Sequence, residues 1–409
     1  MGALQLQNGI EALSAQNEAA KLALSRLKEL GLPTKKTEQY RYFDIEPLMK
    51  QEWQLAQKEK KAIEEADFLE IVDGVVTKAP KDVEVSYQKE RKIEAGHFDP
   101  LYYLGHLLNE EVISIKVKKD ANIKIVHHYT LPKTLISYRI TIETAPNISL
   151  QLSESFNGCD ATESFVMAGY DLHVARDARV EVIKDETLVE GIYTPVYSNF
   201  VHLKEQSFAK LFTFDFGNAD GLQLLQVKLE ENSEIVADHL LYVKGEGKRG
   251  TVSQIVHAGK NAKSDQKAKN ILQDKARGIF DALIKIDPEG AGTKAHQNSK
   301  AVLLNDGAYM ASKPQLEIYI DDVEASHGST IGELDEDQLF YIRSRGITLE
   351  EARKMLILAF ANEIIDDIED PDVRESVHLS FERVYYGQGQ LECIATCHGC
   401  SDAIIGEEK

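Results

Sequence analysis

The sharpest chemical pattern in the sequence is Cys393-Ile-Ala-Thr-Cys397-His398-Gly399-Cys400. Three thiolates this close can converge on one soft metal ion or cluster, and Gly399 permits the tight turn they need. The spacing is also that of the cluster motif in radical S-adenosylmethionine enzymes. Those place a whole β/α barrel after the motif, whereas nine residues follow Cys400 here, so that enzyme class is rejected. The same cysteines are equally what a frayed chain end with incidental thiols would show. The fourth cysteine, Cys159, stands alone, so a disulfide framework is not expected.

A second concentration of donors is Asp321-Asp322-Val323-Glu324-Ala325-Ser326-His327-Gly328-Ser329-Thr330. Carboxylates, hydroxyls and the imidazole of His327 suit a hard or borderline metal such as iron. The competing reading is a polar turn whose acids and hydroxyls saturate backbone donors. Other histidines, such as His127, His128, His173, His202 and His239, fall at strand positions and read as wall residues. From Glu363 to Glu375 seven acids face one arginine, which reads as a solvated helix face. No Walker A, G-x-S-x-G or H-E-x-x-H sequence occurs, so the chain has no P-loop of its own.

Period-two runs that could position these groups fill residues 112–320: VISIKV (112–117), LISYRITIE (135–143), ISLQL (148–152), VEVI (180–183), LQLLQVKL (222–229) and LEIYI (316–320). These predict strands. Several follow small corner residues, as in Asp120-Ala-Asn, Ala145-Pro-Asn and Asp177-Ala-Arg, and tight-hairpin dipeptides are scarce. A β-solenoid is therefore expected, with a β-sandwich as the alternative. Before this body, apolar residues at helical spacing from Ile10 to Leu30 stop at Gly31 and Pro33, and a looser helical spacing runs from Glu46 to Ala66. After it, Asp335 with Gln338, Thr348 with Glu351, and Asp370 with Pro371 mark three helix starts. The expected organisation is an N-terminal mostly helical region (1–100), a β core (101–332) and a C-terminal helical region with the cysteine tail (333–409).

The chain has 409 residues, 43% hydrophobic and 28% charged, and a net charge of −20 from 47 basic and 67 acidic side chains. That balance fits an ordinary soluble protein, and it repels phosphate backbones, so nucleic acid is not an expected partner. No apolar run reaches the roughly 20 residues of a membrane span. The N-terminus MGALQLQNGIEAL lacks a secretory pattern, and Leu6 spoils a myristoylation motif. A cytoplasmic protein without membrane contact is expected.

The stretch KPQLEIYIDDVEASHGSTIGELDEDQLFYIRSRG (313–346) resembles the signature of the SufB/SufD family of iron-sulfur cluster assembly proteins, and GLPTKKTEQYRY (31–42) is similar to that family's N-terminal motif. The resemblance implies a right-handed parallel β-helix flanked by helical regions. It implies a non-catalytic scaffold that supports iron and sulfide handling and transient formation of a nascent cluster. Its partners would be a SufB-like paralogue, or a second copy, and an ABC-type ATPase subunit (SufC-like). Aligned on Pro314, the cysteine of the SufB branch falls on Ala308, which points to the SufD branch. The SufD histidine falls on His327, a participant in iron or cluster handling, and the cysteine often found two residues earlier is Ala325. Cys393, Cys397 and Cys400 match nothing in the family pattern. Two other classes remain: a stand-alone iron-sulfur or metal-binding protein using those cysteines, which would be coloured when isolated, and a β-helix polysaccharide-processing enzyme, which would need a wall of acids with Arg or Lys. The helices between Asp335 and Val384 are expected to dock the ATPase, with Leu356 and Phe360 as core or contact and Arg353 and Arg374 as exposed charges.

Overall fold

Where apolar residues alternate and a corner residue turns the chain about every 30 residues, each strand can stack in parallel on the one a coil earlier, and the computed structural model shows this arrangement. It describes residues 4–9, 15 and 17–386. Two parallel-dominated sheets, of 13 and 11 strands, face each other as the walls of a β-solenoid of about 8 turns. The ladders are long and in register: Phe208–Gly217 pairs with Glu234–Val243 through ten rungs, and Lys248–His257 pairs with Arg277–Ile286 likewise. Corners fall at residues in the left-handed region, among them Asn147, Asp177, Asn232, Asn261 and Asp274. Asn and Asp tolerate that conformation best among residues with side chains, which explains the small polar corners of the sequence. Gly217 has φ +133, and a Cβ there would lie 1.8 Å from the Leu188 carbonyl oxygen, so successive coils approach too closely for any side chain.

Between the sheets lies an apolar interior built largely of Ile, Val and Leu columns, for example Ile115, Ile142, Leu172, Val201, Val227, Ile255 and Ile284. The outer faces are covered too. On one sheet, helices Glu18–Leu30 and Pro100–Leu108 and the short strand Glu52–Leu55 pack Leu27, Trp53 and Tyr102 against Phe165, Phe200, Leu224 and Val252. On the other, helices Leu349–Ile365 and Pro371–Tyr386 pack Ile357, Ile364, Val377 and Phe381 against Phe212, Phe214, Phe216, Leu240 and Tyr242. We call these the N-face and C-face sheets. Asp99 caps Pro100–Leu108 and accepts from the Tyr40 hydroxyl at 2.6 Å; Tyr102 donates to Asp171 at 2.7 Å, tying this helix to the N-face sheet.

The three C-terminal helix starts are where the sequence places them. Asp335 accepts from the Gln338 amide, Thr348 and Glu351 form a complete capping box, and Asp370 accepts from the amides of Asp372 and Val373. The helical spacing from Glu46 to Ala66 does not form one helix. Only Glu46–Lys50 is helical; Glu52–Leu55 then turns Trp53 into the N-face core and pairs with residues 134 and 135. Strand pairing and burial of one large ring outweigh a weak helical pattern. No helix among the described residues is long and apolar enough to cross a membrane.

Candidate functional site at the last coil

Among the described residues no further strand pairs with the last coil of the solenoid. Tyr309–Ile318 is the last strand of the N-face sheet and Val323–Gly332 the last of the C-face sheet, each paired on one side only. The segment 323–332, which the sequence also allows as a polar turn, is strand throughout; the turn is confined to Asp321 and Asp322. Strand alternation therefore separates the donors. Glu324 and Ser326 point outward, to Lys294 (3.1 Å) and His296 (2.8 Å), whereas Val323, Ala325, His327 and Ser329 share the inward face. His327 lies opposite Gln297 and completes an inward column that runs back through Gln266, Ala237, Leu211, Val182 and Leu152. Every earlier member is buried; His327 is exposed because no further coil covers it. Among the described residues no hydrogen bond or ion pair engages its ring, and Ser329 beside it donates to Ser312 across the opening at 2.8 Å. An imidazole held at the mouth of the interior can offer a ring nitrogen to a metal. It stands alone: among the described residues no three His, Cys, Asp or Glu side chains cluster closely enough to hold an ion. Ala308 is buried at the preceding corner and Ala325 lies on the inward face, so neither brings a thiol.

Deeper in the interior, polar side chains occupy positions that the alternation assigns to the core. Glu154, Lys184, Thr213 and His239 form one column and Glu186 and Asp215 the next, with Gln223 and Arg249 reaching across from the N-face sheet. The Arg249 guanidinium donates to Asp215 Oδ1 at 2.7 Å, Glu186 Oε2 at 3.2 Å and the Phe216 carbonyl at 3.0 Å. Glu186 also accepts from the hydroxyls of Tyr197 (2.8 Å) and Tyr193 (3.0 Å), while His239 Nε2 lies 3.1 Å from Asp215 Oδ2. Burial pushes the Asp215 carboxyl up, but the Arg249 charge and the His239 contact outweigh it and hold it well below the usual carboxylate range. Burial lowers the Lys184 ammonium, partly offset by Glu186, Glu154 and Asp215; it donates to Gln223 at 2.9 Å and sits over the Tyr197 ring. These acids and bases are paired with one another, which makes the network a means of satisfying buried charge.

The C-terminal helices are pinned by side chains from the sheet beneath them. Lys210, Lys244 and Lys269 donate to the carbonyls of Asp367, Val384 and Phe360, Lys269 also pairs with Glu363, and Ser380 donates to Asp185 at 2.7 Å. Burial, followed by the Ser380 bond that opposes it, leaves Asp185 pushed up to about 7. Phe360 packs partly into the core beneath the helices, with the Lys269 ammonium over its ring. Facing away are Phe340, Tyr341 and Met355, at 74%, 57% and 49% exposure, with Arg353 exposed near them. Arg374 is not a free surface charge: its guanidinium donates to the Ile368 carbonyl at 3.0 Å and fastens the turn between the last two helices. Cys393, Cys397 and Cys400 lie outside the described residues.

Sequence reasoning singled out His327 and did not anticipate the interior network. The clue is in LFTFDFG (211–217), where Phe212, Phe214 and Phe216 occupy one phase and Thr213 and Asp215 the other. Alternation alone turns the aromatics inward, but the C-terminal helices bury the outer face, so the aromatics face out and the polar residues in.

Comparison with known proteins agrees with the architecture. Residues 127–360 match the family described as SUF system FeS cluster assembly, SufBD core domain, and residues 7–70 match the SufBD protein N-terminal region. The chain is 28% identical over 383 residues to the iron-sulfur cluster assembly protein SufD of Escherichia coli, covering 87% of this chain and 89% of that one. It is 32% identical to an iron-sulfur cluster assembly SufBD family protein of Synechocystis, over 48% of this chain and 44% of the relative. With SufD of Bacillus subtilis it shares 31% identity, over 34% of this chain and 32% of that protein.

Proposed function

The chain belongs to the SufBD family, and on that premise we propose that it is the SufD-type subunit of an iron-sulfur cluster assembly machine. Its role is that of a scaffold on which iron and sulfide meet and a nascent cluster forms transiently, without a side chain of its own making or breaking covalent bonds. The observation that carries this reading is the last coil, uncapped among the described residues, with the imidazole of His327 at the mouth of the interior and two sheet edges free to pair. One imidazole does not make a cluster site, so the remaining ligands come from a partner that docks there. A SufB-like paralogue bearing a cysteine fits that need, whereas a second copy of this chain, with alanine at 308 and 325, brings no thiol at those two positions. Open edges accept such a partner by strand addition.

Functionally the chain divides into an N-terminal region (1–100), whose helix Glu18–Leu30 covers the N-face sheet and whose later strands join both sheets, a β core (101–332), and a C-terminal region (333–409) that docks an ABC-type ATPase subunit through the surface around Phe340 and Met355. Cys393, Cys397 and Cys400 are a second candidate ligand set, and metal content of a chain truncated after Leu391 tests them. The machine works in the cytoplasm and needs neither membrane nor nucleic acid. Co-purification from native extract tests the whole reading: an ATPase subunit and a cysteine-bearing paralogue accompany the chain. Isolation of a coloured, partner-free protein contradicts it and favours a stand-alone metal protein.

A further inference from the structure

The family-like segment 31–42 has a use that cluster assembly does not explain. It folds against the first residues of three neighbouring N-face strands, and the seam encloses a cleft of about 280 Å³ lined by Lys35, Arg41, Tyr42, Lys248, Arg277 and Tyr309. Lys248 is the direct ladder neighbour of Arg277, and Arg277 of Tyr309, so two cationic residues stand opposite each other on adjacent strands whose backbones run about 4.8 Å apart. Like charges directly opposite each other destabilise a sheet. The acids nearby have partners of their own, one of them inside the cleft, since Asp44 lines it together with Lys35. Asp44 pairs with Lys35 at 2.7 Å, Glu38 pairs with Lys313, and Asp220 accepts from the backbone amide of Lys248 at 2.8 Å. Among the described residues Arg41 and Arg277 form no ion pair with a carboxylate; each guanidinium lies 5.7 Å from a ring centre, of Tyr42 and Tyr309 respectively.

In a chain with 20 more acids than bases, three cations of one cleft, Arg41, Lys248 and Arg277, that form no ion pair among the described residues call for an external anion. We propose that this cleft binds a phosphate group, free or carried on a small organic molecule. Guanidinium forks match phosphate oxygens in bidentate geometry, Lys248 adds a point charge, and the two tyrosines offer ring faces to a planar carrier. Occupancy would relieve the repulsion between Lys248 and Arg277 and join the N-terminal segment to the β core. The cleft is on the N-face sheet whereas His327 belongs to the C-face sheet, and the proposal does not depend on the scaffold role.

The test titrates the full chain with inorganic pyrophosphate and with AMP, by calorimetry and by thermal melting. At least one binds and raises the melting temperature, with affinity that falls as salt rises. Tighter pyrophosphate binding assigns free phosphate chemistry, and tighter AMP binding assigns a carried phosphate. Arg41→Gln and Arg277→Gln each weaken binding about tenfold or more. Lys248→Gln also weakens it, yet the unliganded variant melts no lower than the parent, which a purely structural lysine would not allow. Absence of binding by both probes at millimolar concentration, or parental affinity in the Arg41→Gln/Arg277→Gln double variant, overturns the proposal.

Discussion

Replacing Arg249 by Met removes the one cation among the described residues that touches both Glu186 and Asp215 inside the solenoid. Breaking a buried ion pair from one side typically costs about 3–5 kcal/mol, because the carboxylates left behind cannot regain water. Here the lower end applies, since Glu186 keeps two tyrosine hydroxyls and Asp215 keeps His239. With an unfolding entropy of about 2.1 cal/mol/K per residue, a loss of roughly 3 kcal/mol lowers the melting temperature of a chain this long by about 3–4 °C. The pH dependence sharpens the test. In the parent, Asp215 is depressed, so its contribution is present above the unfolded carboxylate value near pH 4 and is lost only as pH falls through its lower folded value. Without Arg249 the Asp215 carboxyl rises, so the deficit is greatest at neutral pH and shrinks on acidification. Melting curves of parent and variant across that range check both magnitude and sign. A triple variant, Arg249→Met with Glu186→Gln and Asp215→Leu, recovers much of the loss, because no uncompensated charge is left. A neutral single variant, or a deficit that grows in acid, refutes the account of the network.

Asp185, raised to about 7, stabilises the fold in its protonated form; that contribution is full below the unfolded value and is lost as pH rises through about 7. Asp185→Asn keeps an acceptor for Ser380 and raises stability by about 1–3 kcal/mol at mildly alkaline pH, with little effect below about pH 5, read from paired melting curves. Thr348→Ala removes the capping box of Leu349–Ile365 and costs about 1 kcal/mol, seen in chemical denaturation. Phe340→Glu changes melting little, because the ring is largely exposed, but abolishes calorimetric binding of the ATPase subunit; normal binding removes this surface as the docking site.

Local chemistry made much of the architecture legible. VISIKV coincides with the strand Val112–Val117, the Asp and Asn corners fall where successive coils turn, and the Thr348–Glu351 box starts a helix. What escaped depends on contacts distant in sequence. LISYRITIE reads as one strand, yet it breaks between Ser137 and Ile140, where Arg139 turns outward to Asp171. Trp53 is in a strand because residues 134 and 135 are there to pair with its neighbours. Asp215 and Lys184 look like outer-face residues until the C-terminal helices are seen to cover that face. The histidine was found from its motif, but its place at an open mouth comes from strand register and from the absence of another coil, neither of which is local.

The measurement that bears most directly on the scaffold role is anaerobic cluster reconstitution on the complex of this chain with the proposed SufB-like and ATPase partners, comparing parent with His327→Ala. The exposed imidazole carries no structural bond, so the variant keeps its melting temperature and still assembles with both partners. The account predicts loss of cluster formation in that intact complex; a parental rate and yield would contradict it.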